Sequence, residues 1–175
     1  MTLWTLFFQN SNILSNKNDN EIGNTILINS VKYQDELINI YVSKNKNINL
    51  NDLEKLCDSV GWMRRPIKKV KIAIKNSFLV LSLFQKLEDE NRLIGFARAT
   101  SDYTFNATIW DVVIHPEFQG QGLGSALVCQ IIKELRYEEI NTITLFADPE
   151  VVTFYKSLGF ISDPNGIKGM FWYPK

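Results

Sequence analysis

Between Trp110 and Leu135 the sequence reads WDVVIHPEFQGQGLGSALVCQIIKEL: a β-branched run, a His-Pro break, three glycines in five positions, then an apolar-periodic segment. A glycine fixed in place loses about 0.5–1 kcal/mol more than alanine in backbone entropy, so glycines packed this tightly answer a need. At the entrance of a helix that need is close approach of a ligand to exposed N–H groups, where the helix dipole favours an anion. Three further residues carry acid–base chemistry: Asp111 inside the β-branched run, Asp148 ahead of Pro149, and Tyr155 in FYKSLGF. His115, the only histidine, precedes a proline and reads as a loop residue.

A dinucleotide fold is tempting, because TITLFAD is a strand ending in an acid downstream of the glycines. Against it, the third glycine of that fingerprint would fall on Ser125, the strand-to-helix link is too long, and too little chain follows Asp148 for a second half-sheet. A Walker loop fails because no Gly-Lys-Ser/Thr follows. A strand-to-helix loop that merely needs glycine is the bland alternative.

The residues around the loop set up its position. LINIYVS, from Leu37 to Ser43, reads as a strand, and NINLNDLEKLCDSVGW as a capped helix ending near Gly61. Pro66 opens a second helix, PIKKVKIAIKN. SFLVLSLFQ and LIGFARATS form a hairpin across KLEDENR, and ATIWDVVI is a third strand. The helix after Gly122 carries Val128, Ile131, Ile132 and Leu135 on one face; TITLFA, PEVVTFYKSLG and MFWY read as strand, helix and a last short strand. The order predicts an α+β domain with a mostly antiparallel sheet. Residues 1–36 are expected to form an N-terminal arm, disordered in part around the Asn- and Ser-rich stretch 10–24, and residues 37–175 the folded domain.

Nineteen basic and nineteen acidic residues cancel, and no basic stripe argues for nucleic acid. No apolar run is long enough to span a membrane, and the first residues read as neither a signal nor a transit peptide. Cys57 and Cys129 are expected to be reduced, buried thiols, and one histidine without paired cysteines leaves no support for a metal.

The run from Gln119 to Gly124, QGQGLG after VVIHP, resembles the Gln/Arg-x-x-Gly-x-Gly/Ala motif of the GNAT superfamily of N-acetyltransferases, and FYKSLGF resembles its second signature. LCDSVGWMRRP, WDVV, TLFAD and GIKGMFWYP are similar to the plastid branch that includes plant serotonin N-acetyltransferase. The resemblance implies the GNAT fold, a mostly antiparallel mixed sheet flanked by helices, and a plastid-encoded stromal protein or, failing that, a bacterial cytoplasmic one. It implies acetyl-CoA as co-substrate, without a metal. The acceptor would be an arylalkylamine such as serotonin or tryptamine, or a protein N-terminus or lysine. No nucleic-acid or membrane partner is implied, and monomer and homodimer stay equally open. A non-catalytic acetyl-CoA sensor is the alternative.

By the same resemblance the main chain of Val112, Val113 and Ile114 would hold the pantetheine arm, with an N–H near Val112 on the thioester oxygen. Gln119 matches the first motif position. The amides of Gly120, Gln121, Gly122, Leu123, Gly124 and Ser125 would hold the pyrophosphate. Tyr155 would protonate the departing thiolate; as a residue it also reads as a core aromatic. Asp148 replaces the superfamily's usual asparagine, so it would accept a proton or orient the amine, or simply cap a helix. The glutamates that serve as bases elsewhere in the superfamily match Thr108 and Ile143, which cannot do so. Asp111, an acid in a buried run, must be paired or used: it is a base or amine anchor, or the structural partner of an arginine such as Arg98. Trp62, Arg64 and Arg65 lie in the loop that covers the acceptor side, where they either shape an acceptor pocket or form a solvated loop around a packed tryptophan; MFWYP is expected to be mostly core, with Trp172 or Tyr173 as alternative lining of that pocket.

Overall fold

The computed structural model describes residues 25–88 and 90–173. Residues 10–24, expected to be an arm, lie outside them. Six strands form one sheet in the order of the chain: β1 (Thr25–Tyr33), β2 (Glu36–Ser43), β3 (Leu79–Lys86), β4 (Asn91–Ser101), β5 (Asn106–Ile114) and β6 (Thr142–Leu145). Every neighbouring pair is antiparallel except β5 and β6, which run parallel. The sheet thus begins before residue 37: β1, taken from the sequence as part of the arm, pairs with β2.

Two helices, α1 (Leu50–Ser59) and α2 (Ile67–Asn76), cover one face, and α3 (Leu123–Tyr137) covers the other. Asn49 caps α1 by accepting the Asn51 N–H at 3.0 Å, and Leu53 and Leu56 turn its apolar face onto Val80, Phe96 and Val113. α3 buries Leu123, Leu127, Ile131 and Leu135 against Leu81, Leu83, Ala97 and Ile114. The alternating sides of β3, β4 and β5 feed both cores, which is why these strands read as nearly continuous apolar runs.

α4 (Val152–Ser157) comes after a single turn at Pro149–Val151, and Gly159 stops it at φ +92°. The last strand expected at MFWY does not form. Asp163, Asn165 and Gly166 all take positive φ, which turns the chain sharply, and β propensity alone supplies no pairing partner for the residues beyond that turn. Met170 and Trp172 are 95% and 84% exposed, so this segment is not core either. Its anchor is Phe171, edge-on to Phe146 at 5.1 Å.

Leu127 is fully buried between α3 and the sheet. Leu127→Ala should therefore cost about 2–5 kcal/mol, read as a lower urea midpoint at unchanged slope in equilibrium unfolding.

Candidate active site

β5 and β6 pair only as far as Ile109 and Leu145. At the next turn of the strand β5 bulges: Trp110 faces Arg98 and Val113 faces Phe96, so Asp111 and Val112 share one place opposite β4. Asp111 takes φ +55°, the left-handed region that a non-glycine residue occupies only when its surroundings hold it there. The bulge bends β5 away from β6. A cavity of about 710 Å³ opens between them, walled by Trp110 to Ile114 on one side and Leu145, Phe146, Asp148, Val151 and Tyr155 on the other.

The parting leaves a main-chain edge. The His115 N–H donates to the Ile94 carbonyl on β4 at 2.8 Å. Strand alternation then turns the polar groups of Ile114 to the opposite side, away from β4. The Ile114 carbonyl is already taken, accepting the Gln119 side-chain N–H at 2.9 Å. Val112 and Ile114 both line the cleft.

That same bond starts the glycine loop. His115 caps the turn Pro116–Phe118, its Nδ1 accepting the Glu117 N–H at 3.3 Å, and the Phe118 ring is fully buried. Burial first, and the neighbouring Arg92 charge second, push the His115 pKa down, so it is a neutral loop residue. Glu117 accepts from Arg92 at 2.7 Å and from the Tyr33 hydroxyl at 3.0 Å, which ties the loop to β1 and β4. Gly120 and Gly122 take φ +73° and +83°. Gly122 precedes α3, and no side chain caps that helix, so its first N–H groups point out of the loop unclaimed by a side chain.

Gly124 differs from the other two glycines. It is helical, and a Cβ there would meet the Phe154 ring at an ordinary 3.5 Å. Nothing in the fold demands glycine at this position, in keeping with a motif that admits glycine or alanine there. The cradle and the open strand edge fit a phosphate-bearing ligand with an extended arm.

Tyr155 is half-buried on the far wall, edge-on to Phe154 and Phe160. Burial, then the Asp148 charge, raise its pKa above the ordinary tyrosine value, so it keeps its proton. Asp148 sits at the cap position of the Pro149 turn but makes no side-chain cap bond, and its carboxylate is exposed to the cleft. Asp111 is different: Oδ2 accepts from Arg98 Nε at 2.5 Å and Oδ1 from Arg65 Nη1 at 2.9 Å. The arginine pairing, one of the two roles the sequence left open for Asp111, is made with Arg98, and the second partner, reaching across from the α1–α2 loop, had no signal in local spacing. Thr108 and Thr144 hold one another across β5 and β6 at 2.9 Å.

A second cavity of about 240 Å³ lies under the α1–α2 loop, walled by Leu53, Cys57, Val70, Ile74 and Phe96. Trp62, Arg65 and Asp111 border both cavities, so the two meet there. Cys57 and Cys129 are free and half-buried, and burial raises both thiol pKa values. Among the described residues no three of His, Cys, Asp and Glu gather as a metal site would require, and no helix is long and apolar enough to cross a membrane.

The sequence profile of the Acetyltransferase (GNAT) family matches residues 48–160. A ycf52 N-acetyltransferase of Gracilaria tenuistipitata is 61% identical over 99% of both chains. A protein of Arabidopsis thaliana named GCN5-related N-acetyltransferase 2, chloroplastic, is 50% identical over 78% of this chain and 59% of its own length. A histone acetyltransferase of Glycine max, TAP1, is 49% identical over 85% of this chain and 68% of its own. Among solved structures, a GNAT-family acetyltransferase of Streptococcus pneumoniae superposes with a TM-score of 0.64 at 24% identity, covering 78% of this chain and 98% of that one, a likeness of fold.

Gly124→Ala tests whether this position needs glycine at all. Alanine is up to about 1 kcal/mol better than glycine inside a helix, so thermal stability should hold or rise. Affinity for coenzyme A, read by titration calorimetry, should stay largely unchanged, because the motif admits alanine there. A marked loss of affinity would mean that a ligand approaches the Gly124 backbone too closely for any Cβ.

Proposed function

The chain belongs to the acetyltransferase (GNAT) family and is an N-acetyltransferase, and on that premise we propose that it moves acetyl from acetyl-CoA directly to a primary amine in a ternary complex. The observation that carries the reading is the parting of β5 from β6, which leaves the β5 edge across a cleft from Tyr155, with the glycine loop next along the chain. The sensor alternative finds no support among the relatives.

The amides from Gly120 to Ser125 receive the pyrophosphate, where the start of α3 adds its dipole. Gln119 holds the loop to Ile114 through its side chain and lines the cleft beside the loop. Val112, Val113 and Ile114 carry the pantetheine arm along the open edge, and the Val112 N–H stabilises negative charge on the thioester oxygen. Tyr155, kept protonated by burial and by Asp148, gives its proton to the leaving thiolate. Cys129, half-buried on α3, is not needed as a nucleophile.

Two carboxylates compete to take the amine's proton. A primary amine with pKa near 10.4 is only about 0.1% neutral at pH 7.5, so some group must help. Both Asp111 oxygens are engaged by guanidinium groups, which suits a residue that sets the bulge and the loop. Asp148 has no such partners and lies in the same cleft as Tyr155, so we assign proton acceptance to Asp148, directly or through water. Asp111 then positions the site.

The acceptor is an arylalkylamine such as serotonin or tryptamine, or the α-amine or lysine of a protein. The apolar cavity beside Trp62 suits the first; the soybean relative's name supports the second. The name of the Arabidopsis relative, with those of the ycf52 proteins, supports a plastid setting.

Tyr155→Phe should lower kcat about 10²-fold with little change in the KM for acetyl-CoA, and Asp148→Asn should lower kcat as well. Because the Tyr155 pKa is raised, the alkaline limb assigned to it should lie above the ordinary tyrosine value and vanish in Tyr155→Phe. Thiol release measured from about pH 6 to about pH 11, a span that brackets ordinary amine and phenol titration, checks all three.

A further inference from the structure

The chain's overall neutrality hides a local excess. Residues 63–76, MRRPIKKVKIAIKN, hold two arginines and four lysines and no acid. The arginines are used internally, Arg64 on Asp58 and Arg65 on Asp111. The lysines are not: none of Lys68, Lys71 and Lys75 makes an ion pair or hydrogen bond among the described residues. At about 100° per residue, Lys68, Lys71, Ile72 and Lys75 fall at i, i+3, i+4 and i+7 on one exposed face, while Val70 and Ile74 turn to the protein.

This arrangement works against the helix that carries it. Lys68 and Lys69 stand in the first turn of α2, at the positive end of the dipole, with no acid there and no side-chain cap. Lys68, Lys71 and Lys75 repel one another at helical spacing. An opposite charge brought from outside would relieve both penalties.

The position says what brings it. The inner face of α2 walls the smaller cavity through Ile67, Val70 and Ile74, and that cavity meets the larger one at Trp62, Arg65 and Asp111. A chain whose amine reaches the cleft by this route passes α2. We propose that the lysine face of α2 docks an acidic segment flanking the acetylated amine of a protein acceptor, a reading that rests on the acetyltransferase assignment above. The face is about 10 Å long, the reach of three to four extended residues, so a short run of Asp or Glu suffices. One isoleucine offers little to a bilayer, and no aromatic side chain stands on the face to stack a base.

The test uses three free-amino peptides that differ only at four positions after the N-terminus, filled with Glu, Gln or Lys. It compares the natural chain with Lys68→Glu/Lys71→Glu/Lys75→Glu, in which a first-turn glutamate favours the helix. The natural chain should acetylate the Glu peptide about tenfold more efficiently than the Gln peptide at low salt, and the Lys peptide least. The triple variant should lose or reverse that order with tryptamine turnover and coenzyme A affinity unchanged, and ~0.5 M salt should flatten it by screening. Anisotropy of a labelled Glu peptide reads docking without turnover, so failure on every amine would sink the acetyl-transfer reading while docking is still measured. Equal rates on the three peptides, a preference kept by the triple variant, or loss only of binding to phosphatidylglycerol vesicles or single-stranded RNA would overturn the proposal.

Discussion

A strand inside a sheet has both main-chain edges occupied, and β5 escapes that constraint after Ile109 by keeping β4 on one side and releasing β6 on the other. Unpaired strand edges are ready hydrogen-bonding surfaces. Here the free edge lines a cleft. The glycine loop lies just beyond it because β5 runs directly into that loop, and Tyr155 faces it because β6 leads, after Phe146 and Asp148, into α4. One departure from regular pairing thus sets the open edge of β5 across a cleft from Tyr155, with the glycine loop next along the chain.

The departure needs holding. A left-handed Asp111 costs on the order of 1–3 kcal/mol and persists because its carboxylate is gripped from both sides, by Arg98 of β4 and Arg65 of the α1–α2 loop. Arg98 and Asp111 are both mostly buried, so this pair is screened less than a surface one. The same contact brings the loop bearing Trp62 against the cleft, which couples the shape of the acceptor side to the bend of β5. On the opposite flank Arg92, Glu117 and Tyr33 do comparable work for the glycine loop, with Tyr33 stacked on Phe118 at 4.7 Å.

The parts of this site that depend on local sequence were legible in it. Glycines at 120 and 122 announce positive φ, apolar periodicity announces α3, and the FYKSLGF signature brings in Tyr155. Contacts that join distant segments were not: nothing near Asp111 in the sequence announces Arg65, and nothing near Glu117 announces Tyr33 or Arg92. β1 was hidden because its polar residues and the left-handed Ser30 break the alternation of TILINSVKY, so it read as arm. MFWY misled in the opposite sense, since its composition favours a strand but pairing needs a partner within reach. Overall charge balance concealed the lysine face of α2, because nineteen acids elsewhere cancel it in any sum.

Amide hydrogen exchange with and without coenzyme A, followed residue by residue, reads the open edge of β5 itself. New protection should appear at Val112 and Ile114 together with residues 120–125, with no comparable change at Val113, whose N–H already faces β4. Protection confined to the glycine loop, with Val112 and Ile114 exchanging as before, would contradict a ligand held along that edge.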